Sequence, residues 1–158
     1  GFRLGWAMGH PDIIDKMVIA KQSADLCTPT FNQLIAAKYI EKGYFDQNLK
    51  NIISEYREKR DNMVTAFKTF MPEGVTWTEP EGGLFLFLHL PEGMDSEVLF
   101  KKAIEYKVAF VIGSVFHCDG SGKNTMRINF SYMSKEKTRE GVQRLAKAIQ
   151  EEMKKMNI

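Results

Sequence analysis

The chain has few of the residues that form disulfides or bind metals: two cysteines and three histidines in 158 residues. Two cysteines are too few for the disulfide framework of a small secreted domain, which favours a reducing, cytoplasmic location. Neither cysteine has a second cysteine or a histidine at the spacing of metal ligands, so we predict no metal site. Cys118 directly follows His117, but adjacent side chains of an extended segment point to opposite faces. This argues against a Cys–His nucleophile.

Long apolar runs and a strong charge imbalance are also missing. No segment approaches the roughly 20 apolar residues of a membrane-spanning helix, and no signal sequence opens the chain. The formal net charge is only +2, with acids interleaved among the lysines and arginines. We therefore expect neither a membrane nor a nucleic-acid partner. The 44% of hydrophobic residues is enough for a chain of one-domain length to bury its own core.

Helix signals fill the first half of the chain. Residues 11–24 begin with a proline suited to a first helical turn and continue with apolar residues at helical spacing. A second helix is predicted from Thr28, as its N-cap, to residue 43. Residues 46–70 carry an apolar residue every three or four positions, which predicts one long amphipathic helix. A short strand is expected at residues 2–8.

The second half alternates strands with helices. Strands are predicted at 75–78, 84–88, 108–112 and 126–130, and helices at 95–107 and from Ser134 onward. Several short strands with helices between them predict an α/β fold of the α+β sandwich type, with helices packed on one face of a small, mostly antiparallel sheet.

Two arginines are candidate anion-binding residues. Arg3 stands between glycines that allow close approach, and a guanidinium grips a phosphate with two parallel hydrogen bonds. A surface arginine on an edge strand would look the same. Arg127 alternates with apolar neighbours on a predicted strand, so its charge needs an anionic partner. That partner is either an internal carboxylate or the carboxylate of a substrate.

Three glycine-rich turns complete the candidate residues. Gly82-Gly83 before a strand, and Gly113 after one, are each explained by turn geometry alone. The segment from Gly120 to Lys123 has neither the spacing nor the following helix of a nucleotide-binding loop, so we reject that interpretation.

Taken in order, these segments resemble the C-terminal half of a known family. The quoted segments are Gly-Phe-Arg-Leu-Gly-Trp at 1–6, Gly-Gly-Leu-Phe-Leu at 82–86, Val-Ile-Gly-Ser-Val-Phe at 111–116 and Met-Arg-Ile-Asn-Phe-Ser at 126–131. Together they are similar to class I/II, or fold-type I, aminotransferases that depend on pyridoxal phosphate, nearest the 2-aminoadipate and aromatic branch. The resemblance implies the end of a large cofactor domain (1–45), a connecting helix (46–71) and a small C-terminal domain (72–158).

The resemblance also assigns roles to residues. It implies that Arg3 binds the phosphate of pyridoxal phosphate, that Arg127 binds the carboxylate of the amino-acid or 2-oxo-acid substrate, and that Gly83 lies on the substrate side. It implies a homodimer for the intact protein. The lysine that holds the cofactor would precede Gly1, so this chain is expected to contain no catalytic residue and to be inactive alone. Ile112 stands where the family usually has proline.

Two other functions stay open at this point. One is the effector domain of a transcription regulator with an aminotransferase-like fold, which an upstream helix-turn-helix segment would support. The other is a small α/β binding module that uses no cofactor. A fold by itself does not choose among the three.

Overall fold

Five α-helices and four short strands make up the structure, a computed structural model that describes all residues 1–158. The helices are α1 (Pro11–Ala24), α2 (Thr30–Glu41), α3 (Tyr44–Phe70), α4 (Ser96–Glu105) and α5 (Lys135–Met156), and the strands are β1 (Thr76–Trp77), β2 (Phe85–His89), β3 (Val111–Ile112) and β4 (Thr125–Asn129). Residues Gly1–Ile52 form one compact unit and Ile53–Ile158 a second.

The first unit holds α1, α2 and the beginning of α3. The helix predicted at 11–24 is confirmed, with the side chain of His10 accepting a hydrogen bond from the Asp12 amide at its start. Two expectations here are wrong. Residues 2–8 form no strand, since no neighbouring strand in this unit is available to pair with them. Thr28 does not cap α2, because the helix begins at Thr30 with Pro29 in the cap position.

The long helix α3 runs for 27 residues and confirms the prediction for 46–70. Its apolar stripe is not buried evenly. Leu49 and Ile53 are 40% and 48% exposed, whereas Met63 and Phe67 are 5% and 0% exposed. Within the second unit, therefore, only the C-terminal half of α3 contributes to a packed core.

The sheet is fully antiparallel, in the order β1-β2-β4-β3. Leu86 and Leu88 of β2 lie beside Ile128 and Met126 of β4, and these side chains face the helices. Because side chains alternate along a strand, Arg127 between them faces the other way. The predicted sandwich of helices on a small antiparallel sheet is confirmed.

The strand expected at 108–112 is shorter than predicted and covers Val111–Ile112 alone. Its first residues complete the end of α4 instead. The Val108 amide donates to the Ala103 carbonyl and the Lys107 amide to the Ile104 carbonyl, at 3.0 and 2.9 Å. This pair of bonds is a Schellman C-cap, with Lys107 in the left-handed conformation at φ +59°.

In the core of the second unit, helices α3, α4 and α5 pack on one face of the sheet. Phe67 of α3 packs against Trp77 of β1, with ring centroids 5.4 Å apart. Leu99 of α4 and Ile149 of α5 are fully buried in the same cluster. Helix α5 buries Val142, Leu145, Ala146 and Ile149, and Met153 packs against the same cluster while only partly buried.

A polar cluster links α4 to α5 at the edge of this core. The Tyr106 hydroxyl donates to the Glu151 carboxylate, and Lys102 Nζ lies 3.0 Å from Glu151 and 3.1 Å from Glu105. The hydrogen bond from Tyr106, and then the one from Lys102, lower the pKa of Glu151 below its ordinary value of 4.5. The same carboxylate raises the pKa of Tyr106.

This lowered pKa makes a contribution to stability that depends on pH. A carboxyl group with a depressed folded-state pKa stabilises the fold above its unfolded pKa, and the effect is lost as pH falls through the folded value. We expect Glu151→Gln to lower the urea midpoint at pH 7, with a difference from the unsubstituted chain that shrinks below pH 4.5. Circular dichroism at several pH values measures this. Glu92→Gln, at an exposed position, is the control. If Glu151→Gln lowered the urea midpoint equally at pH 7 and pH 3, the pH-dependent contribution of Glu151 would be contradicted.

Candidate functional site

Arg127 lies at the centre of the sheet face that the helices leave open. Its strand, β4, is flanked on both sides, and Arg127 is aligned with Phe87 of β2 and Val111 of β3. Phe85 and Asn129 lie one pair further along on the same face. The register of three strands therefore places a single guanidinium among aromatic and apolar side chains.

The Arg127 guanidinium lies between two aromatic rings. Its Cζ is 4.0 Å from the ring centroid of Phe85 and 4.5 Å from that of Phe116. Both distances are well within the range of a cation–π contact. Two rings on one planar group restrict its orientation, so its N–H groups are held in a defined plane.

No carboxylate of the chain pairs with Arg127. It takes part in none of the ion pairs, and its Nε is buried without a hydrogen-bond partner. The internal salt bridge considered from the sequence is therefore absent. A partly buried donor on a charged group without an acceptor is unfavourable, so the geometry suits an anion from outside the chain.

Gly113 allows the turn that carries Phe116 to approach the sheet. Residues Gly113–Phe116 form one turn of 3₁₀-helix beside β4. A Cβ on Gly113 would lie 1.8 Å from Thr125 Oγ1 and 2.5 Å from the Thr125 carbonyl oxygen. The resulting position brings the Phe116 ring onto Phe87 at 5.5 Å, edge to face. Ile112, where the resembled family has proline, has φ −58°, which is a proline-like value.

Gly83 lies in the bend before β2 and has φ +84°. In this left-handed conformation a side chain would be strained, although no atom lies within 4 Å of its missing Cβ. The bend leads directly into Leu84, whose carbonyl accepts from the Phe130 amide at 3.1 Å, and then into Phe85. Gly83 thus sets where the Phe85 ring enters the open face.

Arg3 belongs to the first unit. It is exposed, it has φ +55°, and no acceptor in the chain bonds its guanidinium. The neighbouring backbone is held by Asn32, whose side-chain amide donates to the Phe2 carbonyl at 3.1 Å. Gly5 has no atom within 4 Å of its Cβ position, so the backbone there is open to close approach.

Sequence reasoning missed the two phenylalanines that contact Arg127. Phe85 was visible as an outward position of a predicted strand, and strand alternation would have put it on the face of Arg127 once β2 and β4 were paired. Phe116 had no such signal, because a turn of 3₁₀-helix decides its position. His117, which the sequence argued against as part of a Cys–His nucleophile, has its Nδ1 3.0 Å from Ser121 Oγ.

Comparison with known proteins places this geometry in a family. Residues 1–145 match the family model described as aminotransferase class I and II. The chain belongs to the class I and II aminotransferases. It is 52% identical over 155 residues to aromatic-amino-acid aminotransferase 1 of Thermococcus litoralis, covering 98% of this chain and 37% of that protein. The chain therefore spans little more than a third of the length of this relative.

Solved structures of aminotransferases are also similar to this chain. A kynurenine aminotransferase of Pyrococcus horikoshii, solved with PMP, kynurenine and its product, gives a TM-score of 0.89 at 48% identity. The α-aminoadipate aminotransferase of Thermus thermophilus, complexed with N-(5'-phosphopyridoxyl)-L-leucine, gives 0.88 at 39% identity. The first match covers 96% of this chain and 38% of that structure. The second covers 95% of this chain and 38% of that structure. A more distant relative, 24% identical, is an uncharacterized helix-turn-helix-type transcriptional regulator of Bacillus subtilis, of which the chain covers 31%.

The steric role of Gly113 is testable on this chain. Gly113→Ala places a methyl group against the backbone of β4, and we expect it to destabilise the second unit by about 1–3 kcal/mol. Adding Thr125→Ala removes the side-chain clash but not the carbonyl clash, so it restores only part of the loss. Urea unfolding followed by circular dichroism measures both.

The control for this prediction is Gly82→Ala, at a position with open space around the missing Cβ and no positive φ. We expect a change within about 0.5 kcal/mol there. Equal losses at Gly82 and Gly113 would show that the close approach to β4 is unimportant.

The unpartnered charge of Arg127 predicts an unusual stability effect. Arg127→Met keeps a long side chain between the rings, loses two cation–π contacts and removes a charge that no carboxylate of the chain pairs, so the unfolding free energy should change by less than about 1 kcal/mol. Arg60→Met is the matched comparison, because Arg60 pairs with Asp61 and donates to the Pro80 carbonyl at 3.0 Å. That variant should lose about 1 kcal/mol. A large loss for Arg127→Met would mean that Arg127 is a structural arginine.

Proposed function

We propose that this chain is the C-terminal part of a pyridoxal-phosphate-dependent aminotransferase, which transfers an amino group between an amino acid and a 2-oxo acid. The observation that carries the proposal is the unpartnered, aromatic-flanked guanidinium of Arg127 in a chain of this family. In this proposal residues 1–45 belong to a large cofactor domain, 46–71 connect it, and 72–158 form the small domain.

Arg127 would bind the carboxylate common to amino-acid and 2-oxo-acid substrates. Its buried Nε and one Nη form a pair of donors that matches the two oxygens of a carboxylate. Two rings fix the plane of that pair, and a carboxylate held at both oxygens fixes the orientation of the α-carbon. Gly83 would lie on the substrate side of this site, where the absence of a side chain leaves room beside Phe85.

Arg3 would bind the phosphate of the cofactor. Its exposed guanidinium has no acceptor in the chain, and the flanking Gly5 leaves the backbone open, so the residues present fit a phosphate group. When bound, pyridoxal phosphate supplies the electron-withdrawing group that makes the α-proton of an amino acid acidic. Two similar structures were solved with PMP and with a phosphopyridoxyl amino acid, which supports this cofactor.

The lysine that holds the cofactor would lie in a part of the protein outside residues 1–158. None of the chain's lysines stands in a matching motif, and the chain covers only 37% of its 52%-identical relative. We therefore expect no transamination by this chain alone. The activity belongs to a longer protein that contains it.

A homodimer is proposed for that longer protein. Helices α1 and α2 bury no residue, and the first unit exposes large apolar side chains that need a covering surface. Phe31 and Leu34 of α2 are 71% and 61% exposed. Contiguous apolar surface of this kind is typical of an interface.

None of the five helices combines the length and the apolar composition that a membrane span requires.

The regulator function has less support. Relatives that carry such a name are about 24% identical, whereas the 52%- and 40%-identical relatives are named as aminotransferases.

The name of the 52%-identical relative makes aromatic amino acids the first substrates to test.

The experiment uses the longer protein that contains this chain, loaded with pyridoxal phosphate. Conversion of phenylalanine and 2-oxoglutarate to phenylpyruvate and glutamate is followed, with leucine and 2-aminoadipate as further donors. Arg127→Lys should reduce kcat/KM by about two to three orders of magnitude, since a lysine cannot hold both carboxylate oxygens. Cofactor absorbance should be unchanged. Arg3→Gln should instead weaken retention of the cofactor during dialysis.

Three outcomes would contradict the proposal. A protein that binds the cofactor but transfers no amino group, and has an upstream DNA-binding segment, would favour the regulator. A protein that binds no cofactor would favour a simple binding module. Unchanged kinetics in Arg127→Lys would remove Arg127 from the substrate site while leaving the enzyme class intact.

A further inference from the structure

A cavity lies on the helix-covered side of the sheet, and the proposed function makes no use of it. It has a volume of about 320 Å³ and is bounded by α3, α5 and the segment 107–110. All of these residues belong to the second unit. The volume is at the lower end of the range for small-molecule sites. Two β4 residues line it, Ile128 and Asn129, and Arg127 does not.

The floor of the cavity is apolar and its edge is cationic. Apolar lining comes from Phe67, Val108, Phe110, Val142 and Leu145. Four charged side chains line it as well, and two of them, Glu140 and Arg144, form an ion pair at 2.5 Å. The other two, Lys107 and Lys137, have no carboxylate partner within 4 Å. The net charge of the edge is therefore positive.

A hydroxyl group is also available in the cavity. Thr138 is 7% exposed and lines the cavity one turn into α5. Its side chain makes no hydrogen bond within the chain, whereas Ser134, which caps the same helix, accepts from the Lys137 amide. A hydroxyl group can donate a hydrogen bond, so it is able to bind a carboxylate oxygen of a ligand.

Two positions at the cavity depart from local structural preference. Gly141 lies inside α5, where glycine weakens a helix relative to alanine, and yet no atom lies within 4 Å of its missing Cβ. No packing contact therefore requires glycine there, and its absent side chain leaves the cavity open. Lys107 occupies the left-handed C-cap position of α4 that glycine prefers, and this places a cation at the cavity edge. Departures of this kind are expected at functional positions.

We propose that this cavity binds a small amphipathic monocarboxylate, with an aromatic or branched aliphatic body against Val108 and Ile128. The carboxylate lies between Lys107 and Lys137 and accepts a hydrogen bond from the Thr138 hydroxyl. Because the apolar floor excludes water and the edge supplies two unpaired cations, both ends of such a ligand are recognised.

The probe is 4-phenylbutanoate, titrated into the 158-residue chain by isothermal calorimetry, with 4-phenyl-1-butanol as the uncharged comparison. We expect saturable binding at one site, about tenfold weaker for the alcohol, since a charge-assisted hydrogen bond is lost. Lys137→Gln should weaken binding of the carboxylate by a similar factor and leave the alcohol unaffected. Lys147→Gln, on α5 outside the cavity, is the control.

Two variants separate loss of binding from loss of folding. Gly141→Leu fills the cavity with a good helix former, and Lys107→Gly removes a cation while relieving a left-handed backbone. Both should keep or raise the thermal midpoint; the first should abolish binding and the second should weaken it. Gln143→Leu places the same leucine side chain on α5 outside the cavity and should bind normally. Absence of saturable binding, or binding that survives Gly141→Leu with equal affinity, would overturn the proposal.

Discussion

The sheet of the second unit can bury only one of its faces, because three helix segments pack on the side that carries Leu86, Leu88 and Met126. Every other residue along β2 and β4 must then point to the opposite side. This alternation keeps Arg127 out of the core and sets it in the middle of an open face. A shift of one residue in the pairing would bury the guanidinium and expose the leucines, so the register and the site depend on the same packing.

On the open face, one charged side chain has a polar atom without a hydrogen-bond partner in the chain. Phe85 and Phe116 hold the Arg127 guanidinium in place, but its Nε has no acceptor in the chain. A protein selected for stability alone would pair or remove that charge. In the proposed function the retained donor binds an anionic substrate, and the chain belongs to the class I and II aminotransferases.

The two units differ in how much of their own apolar surface they bury. The second buries a continuous core from α3 to α5, whereas α1 and α2 of the first bury no residue. Hydrophobic residues at helical spacing form helices in both, but spacing does not say what covers them. The chain spans little more than a third of the length of its 52%-identical relative. The same principle applies on a smaller scale at the cavity, where Gly141 and Lys107 are explained better by a ligand than by the fold.

Sequence by itself determined most of the elements and the nature of the candidate residues. Periodicity gave the five helices, with α1, α3 and α5 close to their predicted bounds, because one buried face imposes a repeat that can be read locally. It failed where a distant or competing bond decides: residues 2–8 had no strand to pair with, and Val108 donated to the end of α4 instead of to a strand.

Only the tertiary structure decided what surrounds Arg127. The sequence allowed either an internal salt bridge or an external anion, and strand register together with the turn at Gly113 removed the first possibility. Phe116 reaches the guanidinium through a contact between backbone segments that no periodicity encodes. Local chemistry therefore determined which residues were able to bind an anion, and long-range packing determined that Arg127 was left without a carboxylate partner.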